Sequence, residues 1–315
     1  MAVGDFISAS DYNNIRTRIV SVLGTGGVNP DTGASNGSFG YGQTLKSSAV
    51  ASGATITKTQ WDNLRFDIYN VLYHQTGSAP NPVSAALNSV IQYGAAFPNT
   101  QYDTLTTTAI SNRFDIGSGF FSTGAVKDGS GSPLTLPVTR TSSWTSGVSC
   151  EVTMTFSTAN EARYFFNSGG KVRFSSSFTP ASGAQQETAW QNLLSTAGVL
   201  SFGGNAPTIN FWNLTTSNQE CFSKTTSAPY SSNTWKLLAR LSSGSVSSLS
   251  TPCSVIFTSV WTDGYTDPGS PPPGDLVTGT LNLTFDELWA SGSFSPTGTW
   301  SITRPSYSYT SITGS

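Results

Sequence analysis

Apolar residues recur at helical spacing in two places near the start of the chain. Tyr12, Ile15, Ile19 and Val22 fall on one face of a helix, and Trp61, Leu64, Ile68 and Val71 do the same further on. The two stretches are copies. Residues 7–23 align with residues 56–72, with Asn14/Asn63, Arg16/Arg65, Ile19/Ile68, Val22/Val71 and Leu23/Leu72 identical. Each copy opens on a capping residue. Thr57 with Gln60 fits a capping box, and Ser8 with Asp11 is a weaker version. Gly24 stops the first helix, and the second fades near His74, Gln75 and Gly77. Neither helix can bury its apolar stripe alone. Tyr12, Ile15, Ile19, Trp61, Leu64 and Ile68 are therefore expected to pack either on each other or on a neighbouring copy of the chain. Residues 100–105 (TQYDTL) echo residues 59–64 (TQWDNL), and a third helical stretch would run on through Ile110 and Phe114. Between the first two helices, residues 24–53 are rich in glycine and turn formers. They read as a flexible surface loop or subunit-contacting arm; no phosphate-binding pattern accompanies the glycines.

From about residue 118 the period changes from helical to two. Cys150, Val152, Met154 and Phe156 alternate with polar residues; so do Trp235, Leu237, Ala239 and Leu241. Cys253, Val255, Phe257 and Trp261 share one phase, Leu281, Leu283 and Phe285 another, and Trp300 and Ile302 another. Runs of this kind, separated by Gly, Ser, Asn and Pro, predict half-buried antiparallel strands. Two short helices interrupt them, at 158–166 and 186–197. Residues 263–274 (DGYTDPGSPPPG) predict a stiff exposed connection, and the uncharged tail, 306–315, predicts a strand added to its own sheet or to a neighbour's. The fold class is thus α+β: a helical repeat, residues 1–117, then a predominantly antiparallel, sandwich-like β body, residues 118–315, with two short helices.

Composition changes this picture in one respect. Charged residues are only 10% of the 315, against about 25% in a typical soluble domain. A surface of neutral hydroxyls and amides offers little repulsion between copies, which suits a crowded assembly. The net charge is −2 and there is no basic run, so electrostatic nucleic-acid binding is not expected. The first residues lack a cationic stretch followed by an apolar core, and no apolar run reaches membrane-spanning length. The expectation is a chain made in a cytosol, without membrane insertion.

Candidate chemistry is sparse. Cys150, Cys221 and Cys253 are scattered, without metal-site spacing, and read as buried free thiols, so no metal or cofactor is expected. His74 is the sole histidine, and its place at a helix end predicts a cation favoured by the helix dipole rather than a catalytic base. Paired carboxylates can hydrolyse glycosides without histidine. The candidates Glu151, Glu161, Glu187, Glu220, Asp263, Asp267, Asp286 and Glu287 form no such motif and read as solvated or capping groups; Asp263 and Asp267 could join a loop Ca²⁺ site, though a stiff turn fits them better. Most aromatics, Trp144, Trp212, Trp235, Trp261 and Trp289 among them, are expected in the core. Tyr265, Tyr307 and Tyr309 lie in turn-like or terminal segments and are the candidates for glycan or partner contact.

The stretches SASDYNNIRTRIVSVLG, GYGQTLKSSAV and TKTQWDNLRFDIYNVLYHQTG resemble virion structural proteins of large tailed bacteriophages, especially those of marine cyanobacteria; ANEARYFFNSGGKVRFSSSFTP and ETAWQNLL look like the same group. The resemblance implies a location in the virion, in the tail apparatus or a fibre-like appendage, with a capsid decoration or neck protein as the alternative. It also implies a homo-oligomer, with a trimer favoured, and other virion proteins as partners. A tailspike that binds or degrades a host surface glycan is the remaining alternative. No catalytic residues are carried over by the resemblance.

Overall fold

The computed structural model describes residues 8–35, 37–78, 102–206, 208–266, 276–291, 293–295, 298–300 and 302–314. It has the expected α+β architecture, helices first and then two antiparallel sheets with two short helices. The chain divides into two compact units, Met1–Ser122 with Arg163–Gly170 and Trp289–Thr303, and Thr123–Ala162 with Lys171–Leu288 and Arg304–Ser315.

The first unit is built on α1 (Ala9–Leu23), α2 (Lys58–Thr76) and α3 (Tyr102–Ser111). Both of the first two helices carry full capping boxes, Ser8 with Asp11 and Thr57 with Gln60, so two of the four N-terminal amides that each helix leaves unpaired are met by side chains. α3 stops at Ser111, short of Phe114. The apolar stripes converge on one core, where Trp61 sits between Tyr12 (ring centroids 5.9 Å) and Tyr102 (5.0 Å). Tyr12, Ile15, Ile19, Trp61, Leu64 and Ile68 are all buried within this single chain. A role for them in packing against another copy is corrected accordingly: their surface is already consumed by each other and by α3.

Residues 24–53 carry little regular structure, but they are not the flexible arm that their composition predicts. Phe39, Tyr41 and Val50 are buried in the same core. Tyr41, Gly42 and Gln43 donate their backbone N–H groups to the carbonyls of Val22, Gly24 and Leu23, which satisfies acceptors left over at the end of α1. Both helices then grip the segment further along. Arg16 donates to the Ser47 carbonyl, the buried Asp67 carboxylate accepts from the Lys46 and Ser47 amides (3.0 and 2.9 Å), and Asn13 brackets the Val50 backbone. Gly26 and Gly40 let this segment close on itself: both have positive φ, and a Cβ on Gly26 would stand 2.2 Å from the Phe39 carbonyl oxygen. The end of α4 (Ala159–Asn167) adds a further clamp in this unit, since Asn167 Nδ2 donates to the carbonyls of Gly37 and Gly40.

The second unit contains the two main sheets. Their strands are β1 (Phe121–Ala125), β2 (Val138–Arg140), β3 (Gly147–Phe156), β4 (Lys171–Pro180), β5 (Leu200–Gly203), β6 (Gln219–Thr225), β7 (Thr234–Leu241), β10 (Cys253–Thr262), β11 (Gly279–Ala290), β14 (Ser306–Tyr309) and β15 (Thr313–Gly314); β8 (Gly244–Ser245) pairs with β9 (Ser248–Leu249), and in the first unit β12 (Ser293–Ser295) pairs with β13 (Gly298–Thr299). One sheet runs β1-β11-β4-β5, with β2 also on β11; the other runs β14-β3-β10-β7-β6, with β15 also on β3. The alternating residues point between the sheets. Phe174 of β4 and Phe202 of β5 each meet Phe257 of β10 at 5.0 Å, and Trp261 Nε1 donates to Ser176 Oγ (3.1 Å) across the interior. The tail joins its own sheet through β14 and β15 rather than a neighbour's. Trp300 and Ile302 lie outside the strands that their spacing predicts; Trp300 belongs to the first unit, where it stacks on His74 at 4.4 Å. α5 (Gln185–Ala197) lies against β4, with Trp190 edge-on to Trp144 and Trp144 edge-on to Phe178.

Candidate functional site

The outer flank of α5 forms one wall of a cleft of about 480 Å³ in the second unit. The helix is fixed at both ends. At its start Glu187 Oε2 accepts from the Ser182 and Gly183 amides (2.9 and 3.1 Å), and Gln186 Nε2 donates to Asp263 Oδ2 (2.6 Å) just past β10. At its end Lys224 Nζ donates to the Thr196 carbonyl (2.6 Å), placing a cation where the helix dipole favours one. With Trp190, Leu193 and Leu194 buried, the residues turned outward include Gln185, Thr188, Asn192 and Thr196, at successive turns of one face. Leu193 and Ala189 lie between them as an apolar floor.

The facing wall is Lys224 and Thr225 at the end of β6 and the turn at 226–230. Asn233, fully buried, organises this wall. Its backbone N–H donates to Tyr230, its carbonyl accepts from Thr226, and its Oδ1 accepts from the backbone amides of both Gly264 and Tyr265 (3.0 Å each). Tyr230 and Tyr265 are thereby brought together edge-to-face, with centroids 4.5 Å apart. Among the described residues Lys224 is the one charged residue lining the cleft; the rest of that lining is hydroxyl, amide, small apolar and aromatic.

Of the three tyrosines singled out in the sequence, only Tyr265 is drawn into this arrangement. Tyr309 is half-buried, with its hydroxyl donating to the Thr135 carbonyl. Tyr307 is not a surface residue. It is 3% exposed, donates its hydroxyl to Glu287 Oε2 (3.2 Å), and burial pushes its ionisation well above the usual tyrosine range. Glu287 corrects a second expectation: instead of being solvated it is fully buried, paired with Arg304, and burial raises its carboxyl against the pull of that guanidinium. Its position was readable, since it shares the inward phase of Leu281, Leu283 and Phe285 on β11. Asp263 is also buried rather than displayed on a turn; Asp267 and residues 271–273 lie outside the described residues. Glu161 caps α4, accepting from the Thr158 amide, and Glu151 stays half-exposed 3.6 Å from Arg240.

His74 is likewise not the dipole-favoured cation predicted for it. It is fully buried, its Nε2 donates to the Ser168 carbonyl (3.0 Å), and burial lowers its pKa to about 3, so the ring is neutral. The three cysteines are free, and burial pushes each thiol up, to about 11 for Cys150 and Cys253 and about 12 for Cys221. Among the described residues no three His, Cys, Asp or Glu side chains converge on a metal-sized site, and no helix is long and apolar enough to cross a membrane.

No protein-family model, no curated protein and no solved structure matches this chain.

Proposed function

We propose that the chain is a structural component of a tailed-phage virion, part of the tail apparatus or a fibre-like appendage, and that it works by assembling with copies of itself and with other virion proteins rather than by catalysis. The sequence resemblance supplies the virion. The observation that carries the non-catalytic half is how the ionisable groups are used. His74 is a neutral core residue, Glu287 is locked to Arg304 and Tyr307, Asp263 holds the start of α5, and Glu187 gathers the backbone before that helix. Groups that would have to move protons are held in fixed structural bonds instead.

Since the apolar faces of α1 and α2 are occupied within the chain, self-association must use other surface. β5 and β6 each end a sheet and pair on one side only among the described residues, which leaves backbone groups for a neighbour's strand. The test is quantitative peptide mass spectrometry of gradient-purified particles. A tail appendage predicts the chain at a small fraction of the major capsid protein; a comparable abundance would favour capsid decoration, and its absence from particles would sink the virion reading.

A further inference from the structure

We propose that the cleft between α5 and residues 224–230 is a binding site for a neutral saccharide. The inference does not depend on where the chain resides, because it rests on the cleft alone. Its volume, about 480 Å³, is within the range of about 300–1,000 Å³ typical of small-molecule sites.

The chemistry of the walls selects the ligand class. Gln185, Thr188 and Asn192 stand on successive turns of one helix face, and their side chains make no hydrogen bond to other described residues. An amide offers a donor pair beside an acceptor, and a hydroxyl offers both roles, which is what adjacent sugar hydroxyls need. Leu193, Ala189 and Pro229 give an apolar patch for the C–H face of a pyranose ring, and Tyr230 gives an aromatic one. A phosphate-bearing ligand favours clustered cations, and the one charged lining residue among those described, Lys224, already donates to Thr196. A metal ion would favour carboxylate, His or Cys ligands, and among the described residues none of these lines the cleft.

The walls are also held in place before any ligand arrives. Glu187, Gln186 and Lys224 pin the helix at both ends, and Asn233 fixes Tyr230 against Tyr265. A pre-organised site of this kind loses little entropy on binding, which matters for ligands that bind weakly.

The test uses the full-length chain and saturation-transfer NMR with the methyl glycosides of glucose, galactose, N-acetylglucosamine and rhamnose, and with inorganic phosphate. At least one glycoside is expected to bind with a Kd on the order of 1 mM. Thr188→Ala with Asn192→Ala, on an exposed helix face and therefore compatible with folding, should weaken it about tenfold while thermal unfolding stays unchanged; Tyr230→Ala should do the same through the lost ring. Binding of none of the four glycosides, binding undiminished in the helix-face variant, or binding of phosphate alone would each overturn the proposal. Particle mass spectrometry is untouched by all three results, so failure here and failure of the virion reading are told apart.

Discussion

His74 shows how far a residue's surroundings can reverse what its position suggests. The end of a helix favours a charged imidazole, yet here Tyr41 meets the ring edge-on at 5.2 Å, Trp300 stacks on it, and the side chain is fully buried. The folded pKa, about 3, lies below the ordinary 6.5. A base whose pKa is depressed on folding adds stability above its unfolded value and loses it as pH falls. The loss therefore begins near pH 6.5 and continues down to about 3, where it reaches on the order of 4 kcal/mol. Amide protection factors in α2, which remove the slowing of intrinsic exchange toward acid pH, are expected to fall over that window. Carboxylates titrate over part of it too, so the informative quantity is the difference between the wild-type chain and His74→Phe, which keeps an aromatic ring and cannot charge. Equal acid sensitivity in the two would show that the imidazole is not the group responsible. Glu287 was legible at the same scale, through its strand phase. The pairing of Tyr230 with Tyr265 was not: it depends on Asn233 bonding two amides of a distant turn, and no spacing in the sequence announces that.

Among elements, legibility follows periodicity. The repeated helices, their caps and the strands β3, β7, β10 and β11 all reveal themselves because alternate or every third and fourth residues must face a core. The segment at 41–50 has no period. It is held by backbone bonds to side chains on two helices, so its sequence reads as loop while its structure is fixed. The repeat even hides the division of labour, since Arg18 and Asp67 occupy equivalent positions and only Asp67 grips the segment. Asp67→Asn should expose this. An amide turned toward two backbone N–H donors can accept on one side only, leaving one donor unpaired at a cost of about 2 kcal/mol. Hydrogen exchange is expected to rise at Lys46 and Ser47 while α1 and α2 keep their protection. Unchanged exchange there would mean that the segment is held by Arg16 and Asn13 without the carboxylate. The outward stripe on α5 belongs to the same scale. Its helix was visible in the sequence, but the face left open for Gln185, Thr188 and Asn192 is defined only once Trp190, Leu193 and Leu194 are seen to be buried.

For the whole molecule, low charge and sheet edges bear on the same part of the proposal, the association of copies. Few charges mean that association should depend little on ionic strength, because screening acts only on charge. The edges differ in how well they are guarded. β6 carries Glu220 and Lys224 and has a register shift between Glu220 and Phe222, features that discourage a second strand. β5 reads Leu-Ser-Phe-Gly without a charge or Pro, and it follows Val199, which is 62% exposed. Strand addition between copies is therefore expected at β5. Ser201→Lys places a charge on that edge and should shift the purified chain toward a 33.1 kDa monomer in light scattering, while Ser223→Lys on the guarded β6 edge should leave the assembly as it was. Both positions are exposed, so neither change threatens the fold. If Ser201→Lys assembles like the wild type, the copies do not meet through β5. Dissociation by Ser223→Lys alone would move the contact to the β6 edge, at the end of which the cleft opens, and would make saccharide binding and assembly compete for the same neighbourhood.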